Sequence, residues 1–219
     1  MVELIKKASE EIYEIAFSGK FIPERFNPLW FAENKLLGKK EASNAQILTV
    51  SEGIYCSFKT DFLEIYVEED RLRVITKNLQ SYDLVNDMAI SIGKILADSL
   101  YDHLHINLRL HYSFSTEEKL KEVLNKLYSL QDWSEILESP QLLALRVNQL
   151  IEKDSYNYEK LISMFPCNRD DMPNTVHLYI ISEFLKTNRD IPLYSVLEEN
   201  ESYLFSSIET ANNLITKYL

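Results

Sequence analysis

Along residues 103 to 114, HLHINLRLHYSF, apolar and polar side chains alternate almost without fault. Leu104, Ile106, Leu108, Leu110, Tyr112 and Phe114 share one parity, and His103, His105, Asn107, Arg109, His111 and Ser113 share the other. Period two is the mark of a strand with one apolar face. Three of the chain's four histidines therefore point the same way. The stretches ILTV (47 to 50), IYCSF (54 to 58), FLEIYV (62 to 67) and RLRVIT (71 to 76) are short and rich in β-branched and aromatic residues. Turn-sized gaps separate them, which predicts antiparallel meander strands. In the last pair Leu63, Ile65 and Val67 face the same side as Leu72 and Val74, and EED at 68 to 70 supplies the turn.

The period then changes. Between residues 80 and 101, Leu84, Val85, Met88, Ile92, Ile95 and Leu96 recur at three- and four-residue steps, predicting an amphipathic helix on the apolar face of the sheet. STEEKL at 115 to 120 resembles a capping box, with Ser115 or Thr116 at the cap, and opens a helix running to Leu127. A further short turn is expected around Trp133 to Leu137. Strand signals return in LLALRVNQLI (142 to 151), YEKLISMF (158 to 165) and VHLYIISEF (176 to 184). A long helix over 195 to 218 then carries Leu204, Ile208, Ala211 and Ile215 in its stripe. Residues 9 to 17 satisfy neither period, so segment 3 to 17 reads equally as helix or strand. Pro23 and Pro28 forbid regular structure until residue 28, where a short helix can begin with Trp30, Phe31 and Leu36 or Leu37 turned inward.

Both halves, 1–115 and 116–219, thus run several strands and then one long helix. The fold class this predicts is α+β, with two antiparallel sheets or one continuous sheet, helices packed on one sheet face, and the two halves forming one cooperative unit.

Composition narrows the function. A chain of 219 residues, 46% hydrophobic and 26% charged, is an ordinary globular protein. Its net charge of −11 repels phosphate backbones and anionic lipid, and no run of Lys or Arg offsets this, so direct nucleic-acid binding is disfavoured. MVELIKKASEEIYEIAF breaks its apolar positions with charge every few residues, which suits neither a signal-peptide core nor a membrane span. A cytoplasmic protein without a membrane partner is expected. Cys56 and Cys167 lie far apart in apolar stretches and read as two buried reduced thiols. Gly-rich phosphate loops, GxSxG elbows, HExxH helices and dinucleotide fingerprints are missing, and no cofactor is implied. Asp61, Glu64, Glu68 and Asp70 could pair as catalytic carboxylates, but acidic residues on a hairpin are ordinarily solvated.

The chemistry therefore concentrates on the strip His103, His105, Asn107, Arg109 and His111. Its plainest reading is the wet side of an antiparallel sheet. A functional reading makes it a donor-rich surface for a protein partner or an anionic ligand, with Arg109 as the planar fork and the histidines making contact pH-sensitive. Alanine at Arg109 or His111 is then expected to remove binding and leave the fold intact. Thirteen tyrosines and ten phenylalanines suit such an interface, including one with a second copy of the chain. The alternative is a metal-dependent hydrolase in which His103 and His105, two residues apart on a strand, share an ion with a third ligand such as His177 or Glu64. A further alternative, from the acidity, is a nucleic-acid mimic or anti-defence protein.

One resemblance adds to these readings. SGKFIPERFNPLWFAENKLL, followed by KKEASNAQI and later by HINLRLHYSF, resembles a group of uncharacterised bacterial proteins that share an F-x-P-x-x-F-x-P-x-W-[FL]-A opening. The matching positions are Phe21, Pro23, Phe26, Pro28, Trp30, Phe31 and Ala32, then Asn107 and His111, with His105 where that pattern expects glycine. The resemblance covers about the first half of the chain and implies a bacterial, cytoplasmic protein with a strand-rich middle. It brings no activity with it.

Overall fold

The computed structural model describes residues 8–51, 54–96, 101–127, 144–152, 156–167, 170–186 and 192–218. The expected turn around Trp133 to Leu137 lies outside them, as do residues 1–7. The described strands form one antiparallel nine-stranded sheet, ordered β2-β3-β4-β5-β1-β6-β9-β8-β7. These are β1 (Glu10–Gly19), β2 (Gln46–Ser51), β3 (Tyr55–Lys59), β4 (Glu64–Glu68), β5 (Arg71–Thr76), β6 (Tyr101–Ser113), β7 (Leu145–Glu152), β8 (Tyr156–Pro166) and β9 (Thr175–Lys186). The helices are α1 (Pro28–Glu33), α2 (Lys39–Asn44), α3 (Tyr82–Leu96), α4 (Glu117–Leu127) and α5 (Asn200–Tyr218). The α+β architecture expected from the periodicities is the one observed, and the two-sheet alternative gives way to a single sheet.

The join is made by the segment whose period was ambiguous. β1 is a strand between β5 and β6 at the centre of the sheet, with Tyr13, Glu14, Ile15, Ala16 and Phe17 all buried. A strand buried on both faces loses the polar–apolar alternation that would mark it. On one face the rungs Leu72–Phe17–Leu104–Phe184 and Val74–Ile15–Ile106 run across neighbouring strands. The helices lie over this face. Phe31 of α1 meets Phe58 edge-on at 5.2 Å. α3 contacts β1 and β5, and α5 contacts β6 and β9. Lys160, on the same face of β8, buries its stem and donates through Nζ to Ser206 and Thr210 of α5 at 3.1 and 3.0 Å.

Local chemistry sets the element starts. Asn27 caps α1 by accepting from the Trp30 N–H at 3.1 Å, with Pro28 in the first turn. Thr116 accepts from the Lys119 N–H at the start of α4. Gly93 lets α3 approach the 3-10 turn over Leu193–Glu199, since a Cβ there would stand 2.5 Å from that of Tyr194.

Three expectations need correction. Leu84 and Ile95 are 44% and 40% exposed, because α3 buries the narrower stripe Val85, Met88, Ala89, Ile92 and Leu96. Cys56 is buried, but Cys167, just past the end of β8, is only half-buried. Trp30 is partly exposed, and Phe31 is the residue of α1 that fills the core.

The topology repeats. β1, two short helices, a meander ending in β5, and α3 are followed by β6, α4, the meander β7-β8-β9, and α5. β1 and β6 pair antiparallel at the centre, so β5, β4 and β3 in one half correspond to β9, β8 and β7 in the other. Among the described residues, β2 is the additional strand of the first half.

Candidate functional site

The second face of the sheet, away from the helices, carries the histidine strip. Register brings it against carboxylates that lie distant in sequence. β1 sets Glu10 opposite His111, Glu14 opposite Asn107, Ala16 opposite His105 and Ser18 opposite His103. β9 sets His177 opposite His111, Tyr179 opposite Arg109, Glu183 opposite His105 and Leu185 opposite His103.

At the centre, Glu14 is 1% exposed. It accepts from Asn107 Nδ2 at 2.8 Å on one oxygen and from Arg109 Nη2 on the other. Each partner answers a physical need, because a carboxylate taken out of water must be paired and hydrogen-bonded. The Arg109 guanidinium also lies over the Tyr179 ring, 5.5 Å from its centroid. His111 is buried, its Nδ1 2.8 Å from Glu10 Oε2. Its ring meets that of His177 edge-on at 4.1 Å, and His177 stacks on Phe165 at 5.1 Å.

The other end of β6 is more open. His103 Nδ1 lies 2.7 Å from Asp102 Oδ1, and its Nε2 lies 3.9 Å from Glu183 Oε1. His105 Nε2 is 3.1 Å from Ser18 Oγ. Burial pushes the His105 imidazole down to about 4, and the charges of Arg71 and His103 push the same way. His105 is therefore neutral at pH 7.

The five candidate residues thus share one face, as their parity requires, but not one environment. Asn107 and His111 are buried, so the strip is not uniformly a wet surface, and Arg109 already holds a carboxylate. The expectation that alanine at Arg109 or His111 spares the fold is corrected accordingly: each change would strip a carboxylate of its partner. The proposed third metal ligands are also displaced. His177 stands opposite His111, at the far end of the strand from His103, and Glu64 lies on β4, with β5 and β1 between it and β6. Among the described residues no three His, Cys, Asp or Glu side chains come together closely enough to hold an ion.

Glu64 is not solvated either. It is 8% exposed, with the Tyr66 hydroxyl donating to it at 3.0 Å and Lys59 and Lys77 each at 3.4 Å. Burial opposes its charge, yet Tyr66 and the two ammoniums hold its carboxyl below the usual range. Burial and that same carboxylate push the Tyr66 phenol up to about 12. The sequence carried no mark of Glu10, Glu14, Tyr179 or Glu183 as partners of the strip, because cross-strand register alone brings them there.

A cleft of about 810 Å³ lies elsewhere, between residues 35–44, the β3–β4 turn and α3. Leu36, Leu37, Phe62, Leu63, Leu84 and Met88 supply its apolar lining, the exposed Leu84 and Phe62 among them. No helix of the described residues is long and apolar enough to cross a membrane. No protein-family model matches the chain, and no curated protein matches it in sequence.

Proposed function

We propose that the chain is a non-enzymatic, cytoplasmic protein-interaction protein that contacts its partner through the sheet face around Arg109. One observation carries this reading. Glu14 is bonded to Arg109 and Asn107, and Glu10 lies 2.8 Å from His111, while Tyr179, Phe165, Leu161 and Ile181 remain partly exposed and Leu185 is 39% exposed on the same face. Aromatic and apolar side chains around a guanidinium are the composition of an interface core, where Tyr, Phe and Arg are enriched. Arg109 serves there as a fixed platform: Glu14 neutralises it, so it supports Tyr179 rather than capturing a free anion.

Native mass spectrometry of the chain purified from its own host tests this, with Tyr179→Ala and Leu185→Asp measured alongside. The expected result is a protein complex that both variants lose at unchanged unfolding midpoints. Retention of the partner by both variants, or a stoichiometric metal ion in place of a partner, would contradict it.

A further inference from the structure

The two edges of the sheet are built differently. β2, at one edge, has an irregular register between Ile47 and Thr49, a bulge of the kind that blunts an edge against further pairing. β7, at the other, runs eight residues in unbroken register with β8. It contains no proline, and Arg146, Val147, Asn148, Gln149, Leu150 and Glu152 are all exposed, Val147 by 52% and Leu150 by 62%. An unbulged, half-apolar edge strand offers a row of backbone donors and acceptors to another strand. The internal repeat points the same way. The strand of the first half that corresponds to β7 is β3, and β3 is covered on its outer side by β2. Among the described residues the second half has no such cover.

We propose that β7 pairs antiparallel with β7 of a second copy, joining two nine-stranded sheets into one across a two-fold axis. This pairing goes beyond the interaction at the Arg109 face: it uses a different surface and is independent of the partner bound there. The sequence of β7 is self-complementary for that pairing. A two-fold axis relating antiparallel strands of one sheet stands perpendicular to it and keeps each residue on its own face, so the axis must pass beside a single residue. With the axis at Gln149, residues 146 and 152, and 148 and 150, stand opposite each other. Arg146 then faces Glu152 of the other copy twice, once on each side of the axis, and Gln149 faces its own copy. Shifting the axis to Asn148 or Leu150 loses both ion pairs. The helices of both copies remain on the same side of the extended sheet.

The test is the mass of the full chain in solution by light scattering and sedimentation, for wild type, Glu152→Arg, and the double variant Arg146→Glu/Glu152→Arg. Both positions are exposed, so neither change is expected to disturb folding. Wild type is expected at twice the chain mass of 25.7 kDa. Glu152→Arg turns two attractions into two repulsions and is expected to weaken dimerisation by about tenfold or more, and the double variant to restore it. Tyr179→Ala, which probes the Arg109 face, is expected to leave the dimer intact. A monomeric wild type, a dimer unaffected by Glu152→Arg, or a double variant no tighter than the single one would overturn the pairing.

Discussion

Two pairs of histidines occupy opposite ends of one face, and they behave as different residues. His103 and His105 follow each other on β6, with nearly parallel rings 6.3 Å apart and His103 about one-third exposed. His111 and His177 meet across the β6–β9 rung, edge-on at 4.1 Å, both buried and with Glu10 beside His111. Side-chain type and parity are shared by His103, His105 and His111. What differs is the neighbouring strand at each rung. At the His111 end the neighbouring strands supply Glu10 and the buried ring of His177, and at the His103 end they supply Ser18, Leu185 and the partly exposed Glu183. A polar residue on a sheet face is structural or available according to its cross-strand partner, which its own strand does not specify.

Substitutions can break this contrast, and the largest effect belongs to the strip's centre. Arg109→Ala leaves the Glu14 carboxylate buried without its cation, and a loss of about 3 kcal/mol in denaturant unfolding is expected. His111→Ala removes a buried ring and leaves Glu10 without it, for a loss of about 2 kcal/mol by the same measurement. His103→Ala, at a more open position bonded to the exposed Asp102, should fall within about 0.5 kcal/mol of wild type. Equal losses at His103 and His111 would erase the distinction between the two pairs.

A smaller effect separates His105 from its neighbour. Its folded imidazole titrates near 4, below the 6.5 of an unperturbed histidine, so between those values the unfolded chain binds more protons than the native one. The neutral histidine thus contributes stability that is full above pH 6.5 and is lost as pH falls towards 4. Wild type should lose melting temperature across that window more steeply than His105→Gln. Identical slopes would show that His105 is not the group responsible.

Much of this was legible in the sequence, for identifiable reasons. RLRVIT coincides with β5 because a half-buried strand beside a turn keeps its alternation. Pro28 and the Ser-Thr pair before α4 announce helix starts through capping chemistry that is local in sequence. β1 was ambiguous because burial on both sides erased its period, and with it went the fact that one sheet joins both halves. Glu64 read as a solvated hairpin residue because its cover, Tyr66, Lys59 and Lys77, is assembled by its own strand, by β3 and by the segment that follows β5. The parity of the strip was readable from twelve consecutive residues, whereas Glu14, 93 positions from Asn107, could be placed only by register.

The most direct test of the account is a double-mutant cycle on Glu14 and Arg109, with Glu14→Gln, Arg109→Met and the double variant unfolded in denaturant. If the strip's centre is a closed internal network, each single change leaves the other charge without its partner. The double variant should then be more stable than the sum of the two losses predicts, by more than about 1 kcal/mol. Strictly additive losses, or an Arg109→Met protein as stable as wild type, would contradict it and return Arg109 to the role of a free ligand-binding cation.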